Sequence, residues 1–268
     1  MATPVYIIDS FTATKFKGNP TAVCIAKTKP SYEIMHSIAR ELNFPVTAFL
    51  EMSAANEVYK INYFTITGEI PACGHATLAA AQAIFELTTA DSPQFKTIEN
   101  TIIKIHREEE TIFMAYPKFT VVDFDIPEAT LKSLGITNYK PVGFCKELET
   151  LFIELEDPEL LRQLHPNYDM LTKSTDRIIE VVVTSVSDNK NFDFLLRSFC
   201  PWIGIDEDPV TGSVHSVLAG FWKDRLGKNE LTAYQASERG GEVFVKAFAS
   251  SVEIGGKAIT ILKGELML

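Results

Sequence analysis

Short runs of β-branched and aromatic residues, broken by turn residues, fill most of the chain. Residues 4–10, 21–26, 46–51 and 59–65 have this character, and each predicts a strand. Residues 101–106 and 111–116 predict a hairpin joined through Arg107-Glu108-Glu109-Glu110. Residues 140–145, 150–155, 177–184, 192–199, 231–235, 242–247 and 251–262 repeat the theme. Helical spacing is rarer. Residues 31–42 open on a serine suited to capping and place Ile34, Ile38 and Leu42 on one expected face. Residues 127–134, closed by Gly135, and residues 157–164 predict two short helices.

Two further helices stand apart, over residues 75–87 and 213–226. Their first turns are apolar almost all round: Ala76, Leu78, Ala79, Ala80 and Ala81 in one, Val214, Val217, Leu218 and Ala219 in the other. A helix with no polar face belongs inside a core. The same order of features precedes both. Tyr63-Phe64-Thr65 leads through a loop to Cys73-Gly74-His75, and Ser198-Phe199-Cys200 leads to Thr211-Gly212-Ser213. This internal repeat predicts an α+β chain of two pseudo-symmetric halves. Each half is expected to hold one buried helix wrapped by strands. The expected boundaries are residues 1–118 and 119–268, with the site in the cleft between the halves.

Composition narrows the function classes. A chain of 268 residues, 46% hydrophobic, can bury a full core. Its net charge of −10 and lack of a Lys/Arg cluster argue against nucleic acid and anionic membranes as partners. The first residues carry no signal-peptide pattern, and no apolar run approaches the ~20 residues of a membrane helix. The expected location is cytoplasmic. Cys24, Cys73, Cys145 and Cys200 are widely spaced, which predicts reduced thiols rather than disulfides or structural zinc.

The chemistry is expected at the two glycine-containing helix starts. A helix start presents unpaired N–H groups and partial positive charge, and glycine allows a ligand close to that backbone. Such starts suit carboxylates and similar anions. Cys73, His75 and Thr77 stand at the first; Asp208, Thr211, Ser213 and His215 stand at the second. Histidine exchanges protons near neutrality, and a cysteine at a helix start tends towards thiolate. Other readings exist. Ser213, His215 and Asp208 could form a hydrolase triad, but the G-x-S-x-G elbow is missing. His75, His215 and Asp208 could hold a metal, though none is expected. No glycine pattern for a nucleotide cofactor is present.

Phe16-Lys17-Gly18-Asn19-Pro20-Thr21-Ala22-Val23-Cys24, Cys73-Gly74-His75-Ala76-Thr77 and the run from Gly204 to His215 resemble the PhzF-type phenazine biosynthesis family. Gln235-Ala236-Ser237-Glu238-Arg239-Gly240-Gly241 fits as well. The resemblance implies the diaminopimelate-epimerase-like fold, in which each pseudo-symmetric half is a curved, mostly antiparallel sheet or barrel wrapped around a central buried helix. It also implies a homodimer, no cofactor, and isomerisation of a small carboxylate-bearing molecule by moving a proton. Asp208, His75 and Cys73 are then the expected catalytic residues. Asn19, Gly74, Thr211, Gly212 and Ser213 are expected to bind substrate. One departure stands out: the family's catalytic glutamate falls at Val46, which carries no proton. Glu51 is the nearest carboxylate in sequence, five strand residues away, on the opposite face and ~16 Å distant. An isomerase using another proton carrier, or a ligand-binding relative without turnover, are the two readings this leaves.

Overall fold

The computed structural model describes residues 2–52 and 58–267. Two compact units emerge, Met1–Tyr116 with Glu253–Leu268, and Pro117–Val252. The chain thus does not divide into halves at residue 118, and its closing strand belongs with the opening one.

The first unit contains β1 (Ala2–Ser10), β2 (Asn19–Ala26), α1 (Tyr32–Leu42), β3 (Val46–Glu51), β4 (Val58–Phe64) and β5 (Glu69–Ile70). Then come α2 (Gly74–Leu87), β6 (Gln94–Lys96), β7 (Ile102–Glu108) and β8 (Thr111–Pro117). β1 lies antiparallel to β2, which runs parallel to β3; β3 is antiparallel to β4. β4 in turn pairs antiparallel with β5 and parallel with β6.

Alternation along these strands sorts side chains to two faces. Val5, Cys24, Phe49 and Phe64 pack with Met35, Ile38 and Ala39 of α1. Ile38 and Leu42 of the expected face meet this core, while Met35 takes the place of Ile34, which is 44% exposed. Ser31 caps α1 as expected, accepting from the Ile34 N–H at 3.4 Å. The opposite sheet face carries Ile8, Ser10, Thr21, Val46 and Tyr63 and turns toward α2. Ser10 Oγ donates to the His75 carbonyl there, and Tyr63 OH meets Thr77 Oγ1. α2 is buried from His75 through Ala81, so its run of alanines serves close packing.

The second unit contains α3 (Glu128–Leu134), β9 (Lys140–Cys145), β10 (Thr150–Glu154), α4 (Pro158–Arg162) and α5 (Tyr168–Ser174). β11 (Glu180–Val186), β12 (Phe194–Cys200), a 3₁₀ turn over Pro201–Ile203 and β13 (Ile205–Glu207) follow. α6 (His215–Leu226), β14 (Glu230–Gln235) and β15 (Gly241–Ala247) complete it. β16 (Ser251–Gly256) leads the chain back to the first unit, where β17 (Ala258–Met267) runs antiparallel along β1. The single strand expected over 251–262 is thus two, broken at Lys257, whose carbonyl accepts from the Thr12 N–H at 3.0 Å.

The pairing order of the first unit recurs in the second. β9 is antiparallel to β10, β10 parallel to β11, and β11 antiparallel to β12. β12 then pairs antiparallel with β13 and parallel with β14. One face of this sheet packs on Leu134, Leu161 and Leu171 of the short helices. The other faces α6, where Phe194 stacks on Trp222 with ring centroids 5.4 Å apart. Arg197 is only 8% exposed and bridges Glu207 through two bonds of 2.8 Å. Its remaining nitrogen donates to the Leu164 carbonyl at 2.7 Å, closing the end of the α4 segment.

Candidate functional site

Cys73 is the N-cap of α2, with extended backbone (φ −157°, ψ 115°) and no side-chain capping bond. Its sulfur is left to face the imidazole of His75, with Sγ 3.4 Å from Nδ1. Thr77 Oγ1 donates to the Cys73 carbonyl at 2.6 Å and accepts from Tyr63 OH at 2.6 Å. His75 is buried, and loss of solvation lowers its pKa to about 3. It is therefore a neutral imidazole beside the thiol. Burial raises the Tyr63 and Tyr116 phenols, which stay protonated.

The approach to this helix start comes from the loop between β1 and β2. Gly18 has φ +66°, and a Cβ there would lie 2.1 Å from the Ser10 carbonyl oxygen. Only glycine fits this close approach. Gly18→Ala is expected to cost about 1–3 kcal/mol and to displace the adjoining Asn19, which is fully buried. Urea titration checks the first effect; an unchanged midpoint would exclude it.

At the second start, α6 proper begins at His215, two residues later than expected. A tighter turn precedes it, in which the His215 N–H reaches the Gly212 carbonyl at 3.1 Å and the Ser216 N–H reaches Ser213 at 3.0 Å. Asp208 Oδ2 accepts from Thr211 Oγ1 at 2.6 Å. Gln235 clamps the loop from β14: its Oε1 accepts from the Thr211 N–H at 2.8 Å and its Nε2 donates to the Asp208 carbonyl at 2.7 Å. Gln235 was part of a noted motif, but only the fold shows it as this clamp. Ser213 remains partly exposed, while Gly212 is buried.

His215 does not act with Ser213. Its Nδ1 contacts the Gly212 carbonyl at 3.1 Å, and its buried Nε2 makes no hydrogen bond among the described residues. Desolvation lowers its pKa to about 4. Among the described residues, no group of three His, Cys, Asp or Glu is placed to hold a metal. The four cysteines form no disulfide among the described residues; Cys73 is partly exposed and Cys24, Cys145 and Cys200 are buried. No helix among the described residues is long and apolar enough to cross a membrane.

The two neutral histidines make stability depend on pH. Unfolding returns both toward 6.5, so the unfolded chain binds protons that the folded chain refuses below that value. Stability is full above about pH 6.5 and falls as the pH drops toward 4. Each histidine is expected to contribute a loss of about 2 kcal/mol by pH 5. His75→Asn should flatten the fall in urea midpoint between pH 7.5 and 5. An equally steep fall in the variant would contradict this assignment.

Glu180 is a buried-face titratable residue that motif reading missed. Its partly buried carboxyl accepts from Thr150 Oγ1 at 2.7 Å and from Ser198 Oγ at 2.5 Å. Loss of solvation raises its pKa above the ordinary carboxylate range. A lone glutamate at a strand start carries no motif, so only strand pairing reveals it.

The sequence pattern described as phenazine biosynthesis-like protein, PhzC-PhzF, matches residues 8–264. The chain belongs to the PhzC/PhzF phenazine biosynthesis-like family. It is 36% identical to an uncharacterized isomerase of Halalkalibacterium halodurans, over the whole of both chains. A solved PhzF-family protein of Enterococcus faecalis superposes with a TM-score of 0.92 at 33% identity, covering 100% of each chain. A probable proline racemase of Agrobacterium radiobacter, solved with carbonate, shares the fold at a TM-score of 0.61 and 10% identity. That match covers 99% of this chain and 93% of the racemase. The α+β, epimerase-like architecture expected of the PhzF family is thus the one this chain has.

Proposed function

We propose that this PhzC/PhzF-family protein is a cofactor-independent isomerase or epimerase that moves a proton on a small carboxylate-bearing substrate. The observation that carries this reading is the pairing of Cys73 with a neutral His75 at the start of a buried helix. A neutral imidazole 3.4 Å from a thiol can accept a hydrogen bond from it, holding the sulfur at the helix start, where it can exchange a proton with the substrate. Asp208, held by Thr211, supplies a carboxylate at the equivalent helix start of the second unit. The N–H groups of Gly74, Gly212 and Ser213 are assigned to anionic substrate groups, and Asn19 and Thr211 to substrate contacts. The isomerase name of the bacterial relative supports the reaction class.

A second reading is ligand binding without turnover. It is favoured by Val46, which is 4% exposed and cannot exchange a proton.

Two variants separate the readings. Cys73→Ala is expected to slow product formation at least ~100-fold while leaving affinity intact. Gly212→Val should abolish carboxylate binding in calorimetry by blocking approach to the backbone. Unaltered affinity in Gly212→Val would remove the anion-binding role from α6. Full turnover in Cys73→Ala would remove the sulfur from the chemistry.

A further inference from the structure

The repeated ladder gives residues of one unit counterparts in the other. In the first unit Phe64 pairs with Thr47 on one side and Glu69 on the other. In the second, Phe199 pairs with Val181 and Glu207. The polar partners follow the same correspondence: Asn62 donates to Glu69 at 2.6 Å, and Arg197 bridges Glu207. One residue back along β3 and β11, Val46 corresponds to Glu180. Their neighbours agree, since Thr21 lies beside Val46 and Thr150 beside Glu180.

Thr21 carries a trace of this equivalence. Thr150 Oγ1 donates to the Glu180 carboxyl at 2.7 Å. Its counterpart, Thr21 Oγ1, is buried and makes no hydrogen bond among the described residues. Position 46 thus has a donor ready for a carboxylate, and valine leaves it unused.

Glu180 lies on the α6 side of its sheet. Ser198, which holds it, shares a strand face with Phe194, and Phe194 stacks on Trp222 of α6. It also lies toward the start of that helix. The Ser198 carbonyl accepts from the Asp208 N–H at 3.1 Å, and Gln235, paired with Leu196, clamps Thr211. The Cys200 thiol feels the charges of both Asp208 and Glu180.

We propose that Glu180 is a proton-carrying carboxyl of this protein, one that takes a proton from a substrate carbon. The proposal rests on the isomerase reading above and deepens it. As a carboxylate, Glu180 takes a proton from a substrate carbon; the C–H electron pair moves into an adjoining double bond or carboxyl group. The carboxylic acid so formed exchanges its proton with solvent and delivers one to another carbon of the same molecule. No electrons leave, and Glu180 ends as it began. Burial holds the group nearer to neutrality, where a carboxylate is the stronger base.

Glu180→Gln preserves shape and an acceptor oxygen, while Glu180→Asp preserves charge and withdraws it by one methylene. A panel of β,γ-unsaturated and dienol carboxylates is incubated in deuterated water and read by NMR. Wild type is expected to form deuterated isomer. Both variants are expected to fall at least ~100-fold in kcat with KM within about threefold, and either one alone suffices if the other fails to fold. Wild-type turnover matched by the folded variants would overturn the role of Glu180 and leave the isomerase reading standing. A wild type silent across the panel would overturn that reading and the role of Glu180 with it.

Discussion

Asp208→Asn is expected to slow proton transfer by about 10²–10⁴-fold without loosening the fold. The separation of effects follows from how the loop is held. The Asp208 N–H bonds the Ser198 carbonyl at 3.1 Å, and the Asp208 carbonyl accepts from Gln235 at 2.7 Å. Neither bond involves the side chain. The Thr211 hydroxyl, now 2.6 Å from the carboxylate, retains an amide oxygen to donate to. What asparagine removes is negative charge and the ability to carry a proton. Deuterium incorporation per unit time measures the loss, with circular dichroism as the control on folding. A folded variant within threefold of wild type would exclude Asp208 from the proton path.

Arg197→Met is expected to be the most destabilising of these changes, by about 3–5 kcal/mol. Arg197 is 8% exposed and satisfies both Glu207 oxygens at 2.8 Å. Its other nitrogen serves carbonyls of Leu161, Arg162 and Leu164, the unpaired end of the α4 segment. Methionine leaves a carboxylate without its partner and takes the guanidinium donor from the Arg162 and Leu164 carbonyls, while Leu161 keeps the Leu164 N–H at 3.3 Å. The burial of an unpaired charge is the larger cost. The double variant Arg197→Met, Glu207→Gln should recover part of the loss, because it removes the orphaned charge. Urea midpoints of the single and double variants test this, and a midpoint for Arg197→Met within about 1 kcal/mol of wild type would contradict it.

Much of the architecture was legible because it rests on local patterns. The strands at 46–51 and 140–145 have the bounds their β-branched and aromatic residues predict. α2 declares itself by the absence of a polar face, and Ser31 and Gly135 mark helix ends through capping chemistry. The missed elements are those with little pattern to show. β5 has two residues and β6 three, too few for alternation to register. α5 is short, and its only signal is Asn167, whose side chain accepts from the Met170 N–H at 3.0 Å. The placement of β17 depends on pairing with β1 at the far end of the chain, which no local window contains.

The candidate site divides along the same line. Cys73, His75 and Thr77 lie within one helical turn, so their meeting follows from the motif itself. Asp208 and Thr211, three residues apart, behave alike. Glu180 meets Thr150 and Ser198 from separate strands, and Gln235 reaches Thr211 across 24 residues. Those contacts are set by strand register, which the residues alone do not announce. The α1 face shows the same effect on a smaller scale, since Met35 rather than Ile34 meets the sheet.

The central claim is that this protein moves a proton on a carboxylate without help from a cofactor. Its most direct test is wild-type protein, freed of metal by chelation and supplied with no cofactor, turned over in deuterated water with binding followed in parallel by calorimetry. The account predicts solvent deuterium on a former C–H position together with a shifted double bond or inverted centre. Saturable binding across the panel, with every C–H position unlabelled and no isomer formed, would contradict it.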